Sequence, residues 1–190
     1  AQAAPGRVPA EGASALWILA LSGGRAGAEG DDRAFSVNCF HNGGTGARPG
    51  KDGLSATAFP SGVRSGSVEA TEAAAPLVFW RKAYRPGSGG KGRFRGGLGQ
   101  TLEVGHVDGQ AFTVSCLFDR VDHAARGRFG GEPGARGSVR LSSGARLNAK
   151  GRQTVPAGQS VIFETPGGGG LGDPETRDPA LRARDEREGF

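Results

Sequence analysis

The chain has 190 residues, 36 of them glycine and 11 proline, with 24 Lys or Arg against 19 Asp or Glu and a formal net charge of +5. That length suits one ordinary domain or two small ones, and ten Phe, two Trp and several short apolar runs argue against a disordered chain. The modest charge excess sits on arginines scattered through loops rather than on a basic stripe, so nucleic acid is not the expected partner; no stretch reaches the ~18 apolar residues of a membrane-spanning helix, so no membrane is expected either.

In chain order, residues 1–12 are small and polar and read as a flexible arm. Residues 16–21 form a compact apolar run ending at Ser22-Gly23-Gly24, the pattern of a buried strand. A polar turn over 25–32 leads to 34–40, whose apolar and polar residues mostly alternate; the two runs predict a hairpin with a long loop. Cys39 lies in the second run and Cys116 far downstream in another, which predicts two buried free thiols in a reducing, cytoplasmic compartment, with a single disulfide between them as the alternative that spacing does not decide. His41 shares a strand face with Cys39. A metal would need further donors from Cys116, Asp119, Asp122 and His123, whose spacing is no ligand signature.

Residues 56–59 predict a short strand stopped by Pro60, and 68–75 a helix ended by Pro76, because the residue before proline avoids the helical region. Residues 77–84 are the strongest strand in the chain. Segments 98–106 and 111–118 flank Asp108-Gly109, a hairpin signal, and 138–141 and 145–147 flank a second turn at Ser142-Ser143-Gly144. Residues 161–164 read as the last strand. Asp178-Pro179 is a helix N-cap with proline in the first helical position, opening a short charged helix. The expected class is therefore α+β, β-rich, with short strands and hairpins joined by glycine-rich loops: an arm over 1–12, a body over 13–177 and a helix over 178–190.

Glycine concentrates in three clusters, 42–53, 87–99 and 165–174, each bordered by Pro, Arg or Asp. Glycine serves where backbone takes positive φ or approaches other backbone closely, and flexible linkers lack such rigid and charged neighbours. The clusters predict defined, bent loops. Gly87 to Gly92 satisfies G-x-G-x-x-G, but Arg93-Phe94-Arg95-Gly96-Gly97 cannot open the helix a dinucleotide requires. Gly50-Lys51 resembles the end of a phosphate loop, yet Thr45 stands where that loop needs glycine and Asp52 where it needs a magnesium-binding hydroxyl. Arg48, Lys51, Arg93, Arg95, Arg126 and Arg128 sit beside glycines, placed either to grip a carboxylate or phosphate or to pin loop carbonyls. No self-contained catalytic constellation appears.

Taken in order, segments 42–53, 59–64, 68–72, 81–99, 118–120, 150–158, 164–174 and 184–189 resemble the C-terminal part of the hydantoinase B/oxoprolinase family. The resemblance implies part of an ATP-dependent cyclic-amide hydrolase opening a hydantoin or 5-oxoproline ring, or of a related ketone carboxylase. It implies ATP and Mg held mainly by an actin-like partner, the hydantoinase A-type ATPase subunit, which activates the amide or carbonyl oxygen by phosphorylation. Ala83 and Gly87 stand where the family carries acids. The family's N-terminal half, with its metal-associated histidine motifs, has no counterpart in these residues, so any metal is expected there. With no methionine and Ala1 first, the chain is expected to be part of a longer polypeptide or to have lost its initiator; the alternative reading is a non-catalytic assembly module or remnant. The candidate substrate-binding residues are Asn42, Thr45, Arg48, Lys51 and Asp52, with Arg48 and Lys51 holding carboxylate or phosphate and Asp52 orienting them, and then Arg93 and Arg95.

Overall fold

The computed structural model describes residues 5–24, 34–57, 62–63 and 65–190. Its strands are β1 (Trp17–Gly23), β2 (Phe35–His41), β3 (Leu77–Tyr84), β4 (Gln100–His106), β5 (Phe112–Leu117), β6 (Ser138–Leu141), β7 (Lys150–Val155) and β8 (Val161–Glu164), and its α-helices α1 (Val68–Ala74) and α2 (Pro179–Glu188). Two four-stranded antiparallel sheets, ordered β2-β1-β5-β7 and β3-β4-β8-β6, enclose one core. Alternation places Trp17, Leu19 and Leu21 inward from β1 to meet Val114, Leu102, Val104 and Phe163. Phe118 ties the layers together: Trp17 stacks on it at 4.0 Å and Phe163 meets its ring edge-on at 5.6 Å, contacts worth about 0.5–1.5 kcal/mol each beyond the area they bury.

The expected first hairpin forms, with β1 and β2 paired over seven residues; the polar turn predicted at 25–32 lies outside the described residues. α1 starts where Ser67 Oγ accepts from Ala70 N at 3.2 Å, and it packs on β2 and β3. The turn at 142–144 closes a small hairpin, with Leu147 N donating to Val139 O at 3.1 Å. α2 has the expected Asp178 cap, accepting from Ala180 N at 2.8 Å. Cys39 and Cys116 both pair in register with Leu19, on opposite sides of β1. Two strand spacings, roughly 10 Å, exceed the reach of a disulfide, and both thiols are free and buried. Burial pushes the Cys116 thiol up to about 12.

Some expectations need correction. The strands flanking Asp108-Gly109 do not form a hairpin, because β4 belongs to one sheet and β5 to the other. The tight turn itself exists, with Gly109 at φ +67° and its N–H on His106 O at 3.0 Å. Asp-Gly sets a chain reversal, but partner choice follows the inward residues, and both strands are taken on each side by other neighbours. β7 is a strand that its polar sequence conceals, an edge strand of which only Val155 is buried. Of the strand expected at 56–59, Ala56 is a turn residue, Thr57 lies outside any strand, and the remainder lies outside the described residues.

Residues 167–171 form an extended segment ended by a bend at Gly172 (φ +76°), and the N–H groups of 167–172 donate in turn to Ala135, Gly97, Glu11, Glu132, Phe94 and Arg128 carbonyls at 2.8–3.1 Å. Two of the three series return to one neighbour after three residues, 167 and 170 to segment 132–135 and 168 and 171 to segment 94–97, while Gly169 goes to Glu11 and Gly172, at the bend, to Arg128. A sheet strand alternates between two neighbours, whereas three residues per turn is the screw of a polyproline II-type helix. The clusters are the expected glycine-rich loops, and they assemble with one another into a single bundle. Glycine is required by close approach: a methyl at Gly168 would overlap the Thr45 carbonyl, and one at Gly44 the Gly97 carbonyl.

Candidate functional site

The first glycine segment leaves β2 at His41 and runs along this bundle. Asn42 is buried; its Nδ2 donates to Val63 O at 3.2 Å, while Oδ1 has no partner among the described residues. Thr45 receives Leu54 N on its Oγ1 at 2.7 Å. Beyond it the chain reverses at Gly50, φ +79°, with Arg48 and Lys51 exchanging backbone hydrogen bonds at 2.9 and 3.1 Å. The reversal brings the Arg48 guanidinium onto the main-chain carbonyl of Asp52, with Nε at 3.2 Å and Nη2 at 2.8 Å.

Between this segment and residues 9–16 lies a cleft of about 530 Å³. Ala10, Ala13, Leu16 and Leu54 give it an apolar wall; Asn42, Thr45, Arg48 and Thr57 are its polar groups, with Glu11 and Arg120 at one end. Within residues 1–12, expected as an arm, Ala10 is buried and donates to Ala47 O at 2.8 Å, and Glu11 O accepts from Gly169 N at 2.8 Å. Backbone strain gathers here: Ser14 (φ 71°) and Arg120 (φ 61°) line the cleft, and Ala56 (φ 46°) adjoins it. Non-glycine residues persist in this region only where their surroundings over-determine them, commonly at ligand sites.

Glu11 is the electrostatic hub of the cleft's end. It accepts from Arg126 N at 3.0 Å, Arg126 Nε at 2.8 Å and Arg120 Nη1 at 3.0 Å. The Arg126 side-chain bond, against the opposing effect of burial, leads the causes that lower its carboxyl from 4.5 to about 2. Because this pKa is depressed in the fold, the stability it contributes is complete above about 4.5 and is lost as pH falls towards 2. Glu11→Gln is expected to remove that part of the acid-unfolding limb, read by denaturation midpoints from pH 5 downward.

Asp52 and Arg95 belong to a different cluster. The Asp52 carboxylate accepts from Arg177 Nη1 and Nη2 at 2.9 and 3.0 Å, Arg184 Nη2 at 3.2 Å and Arg95 N at 2.8 Å. Burial alone would raise this carboxyl, but the Arg177 bonds, the Arg95 N–H and the neighbouring positive charges outweigh it and hold the group below its ordinary value. Asp185 of α2 completes the cluster, 2.6 Å from Arg177 and 3.5 Å from Arg95, whose guanidinium lies 4.1 Å over the Phe190 ring. The seven candidates therefore separate: Asn42, Thr45 and Arg48 meet at the cleft, Asp52 and Arg95 bind α2, and Lys51 and Arg93 are exposed outside both side-chain groups. Asp52 meets Arg48 through its main-chain carbonyl and not its carboxylate.

Glu11 and Arg120 went unread because they come from distant segments. The available signal was Glu11 itself, the only acid in the first 28 residues. His41 is buried with neither ring nitrogen partnered among the described residues, and burial pushes it down to about 4, a neutral imidazole. Among the described residues no three His, Cys, Asp or Glu side chains converge as a metal site, and no helix is long and apolar enough to cross a membrane.

The family described as hydantoinase B/oxoprolinase matches this chain over residues 1–174, all three glycine clusters included. A 5-oxoprolinase of Dictyostelium discoideum is 36% identical over 139 residues, 70% of this chain and 11% of that protein. A putative B-type subunit of a D-/L-hydantoinase from a Pseudomonas species (strain NS671) is 28% identical over 197 residues, 100% of this chain and 32% of that protein. The crystal structure of an ATP-dependent caprolactamase from Pseudomonas jessenii has a TM-score of 0.77 at 28% identity, covering 99% of this chain and 34% of the other. Nucleotide-free acetone carboxylase shares the fold, with a TM-score of 0.71 at 24% identity over 96% of this chain and 29% of the other. The chain thus spans about a third of the hydantoinase polypeptide and about a tenth of the 5-oxoprolinase.

Proposed function

Because the chain belongs to the hydantoinase B/oxoprolinase family, we propose that it works as part of an ATP-dependent cyclic-amide hydrolase and that its cleft helps hold the ring. The observation that carries this reading is the cleft itself, whose lining, the glycine segment 42–53 included, lies wholly within the family match. Concave sites with apolar walls and a few polar groups are the usual form of small-molecule sites. Ala13, Leu16 and Leu54 suit the hydrocarbon part of a lactam, and Arg48 suits a carboxylate such as that of 5-oxoproline.

An amide resists hydrolysis because resonance stabilises it, and phosphorylating its oxygen supplies a leaving group. In this reading ATP and its Mg are held mainly by an A-type ATPase partner. Any metal belongs to the part of the relatives' length that this chain does not span. Two free buried thiols fit a reducing, cytoplasmic setting.

In the assembled enzyme, Arg48→Ala is expected to lower kcat/KM for 5-oxoproline by ~10²-fold, the loss of one charge-assisted pair, while a lactam without a carboxylate is spared. Unchanged kcat/KM for both removes Arg48 from the site. The fold shared with acetone carboxylase supports a second reading, an ATP-dependent ketone carboxylase; ATP turnover stimulated by ketone and bicarbonate but not by lactams would select it. An assembly module predicts that neither substrate class stabilises the chain.

A further inference from the structure

α2 has few apolar side chains with which to attach itself. It reads PALRARDERE, and the residue it buries is Asp185. Charge holds it in place: Arg177, just ahead of the helix, lies between Asp52 and Asp185, and Arg184 adds a second contact to Asp52 at 3.2 Å. Side-chain exposures of 7% for Arg177, 15% for Asp52 and 13% for Asp185 place the cluster largely out of water. There ion pairs are screened little by salt, and removing one partner leaves an uncompensated charge.

Asp52 faces both ways. Its carboxylate is in the α2 cluster, while its main-chain carbonyl carries the Arg48 guanidinium at the cleft. The intervening turn is short, and its hydrogen bonds, Lys51 N to Arg48 O and Gly53 N to Arg95 O, depend on Asp52 keeping its place. We infer that Arg177 and Asp185 are positioning residues for Arg48: they fix Asp52, and Asp52 aims the guanidinium at the cleft. The functional meaning of this coupling rests on the cleft reading above, but the coupling itself does not.

The test uses the full chain and two variants, Arg177→Gln and the isosteric Asp185→Asn, with Arg187→Gln at an exposed position of α2 as control. Amide exchange is followed at Lys51 and Gly53, and phenylglyoxal labelling at Arg48 is followed by peptide mass spectrometry. Both variants are expected to speed exchange at those two amides by about tenfold or more and to raise Arg48 labelling. Core amides at Val104 and Val114 should hold their wild-type rates, and the control should match wild type. Opening of α2 without change at Lys51, Gly53 and Arg48 would overturn the coupling, as would an equal rise at Val104 and Val114 in both variants. Failure of the cleft reading is separately visible: there Arg48→Ala leaves kcat/KM intact even though the labelling responds.

Discussion

Gly168→Ala is expected to prevent the chain from folding. Gly168 lies inside the glycine bundle, its N–H on Gly97 O at 3.0 Å and its carbonyl receiving Gly90 N at 2.8 Å. The added methyl would overlap the Thr45 carbonyl and stand 2.8 Å from Gly46 N. Those are backbone atoms, which cannot rotate away as a side chain would. Relief requires moving segment 167–172, and that breaks hydrogen bonds to several neighbours at once. Overpacking costs about 1–3 kcal/mol, and each buried donor or acceptor left unpaired adds about 1–3 kcal/mol. The sum reaches the ~5–15 kcal/mol that keeps a domain folded. Gly158→Ala is the contrast. Gly158 has φ +75° but nothing within 4 Å of the new methyl, so only conformational strain, about 1 kcal/mol, is expected. Urea denaturation and soluble yield of the two variants decide the matter; equal midpoints would refute close approach as the reason for glycine here.

Asp52→Asn is expected to cost about 3–5 kcal/mol at neutral pH, the range for breaking a buried ion pair from one side. Asparagine keeps the shape and the bond from Arg95 N, but Arg177 and Arg184 then share no carboxylate with segment 42–53. The pH dependence has a definite sign. The Asp52 carboxyl is depressed in the fold, so its contribution is complete above its ordinary 3.8 and is lost as pH falls through the lowered value. Wild type and variant should therefore differ most near neutrality and converge in acid. A constant gap from pH 7 down to about 2 would mean that the loss is one of packing rather than charge.

The elements read correctly were those decided by local chemistry. β1, β2 and β3 announce themselves by apolar run or alternation, the end of α1 by Pro76 and the start of α2 by Asp178-Pro179. What escaped was set by distant partners. Asp108-Gly109 makes its turn whether or not the flanking strands pair. β7 is an edge strand whose exposed positions need no apolar pattern. The glycine bundle has threefold periodicity, but glycine carries no side chain in which such a period can be read. The site divided in the same way: segment 42–53 was legible as a motif, while its split between cleft and α2 depends on Arg177 and Asp185, more than a hundred residues on.

The bundle also dictates an order of events during synthesis. Residues 166–172 exchange hydrogen bonds with residues as early as Glu11, Gly44 and Ala47 and as late as Arg128 and Ala135. Until that segment leaves the ribosome those earlier segments have no partner for the groups they will bury, and closing loops of such length is slow. β1, β2 and β5 can pair before then. The walls of the cleft, Ala10–Ala13 and Gly43–Ala47, can also meet through Ala10 N on Ala47 O and Ala13 N on Gly44 O, but the bonds with Pro166 and Gly169 that brace them come only with that last run of glycine. A nascent chain stalled ahead of residue 165 would thus carry a half-formed sandwich and an unbraced cleft, so the cleft is completed only after nearly all of these residues have been made.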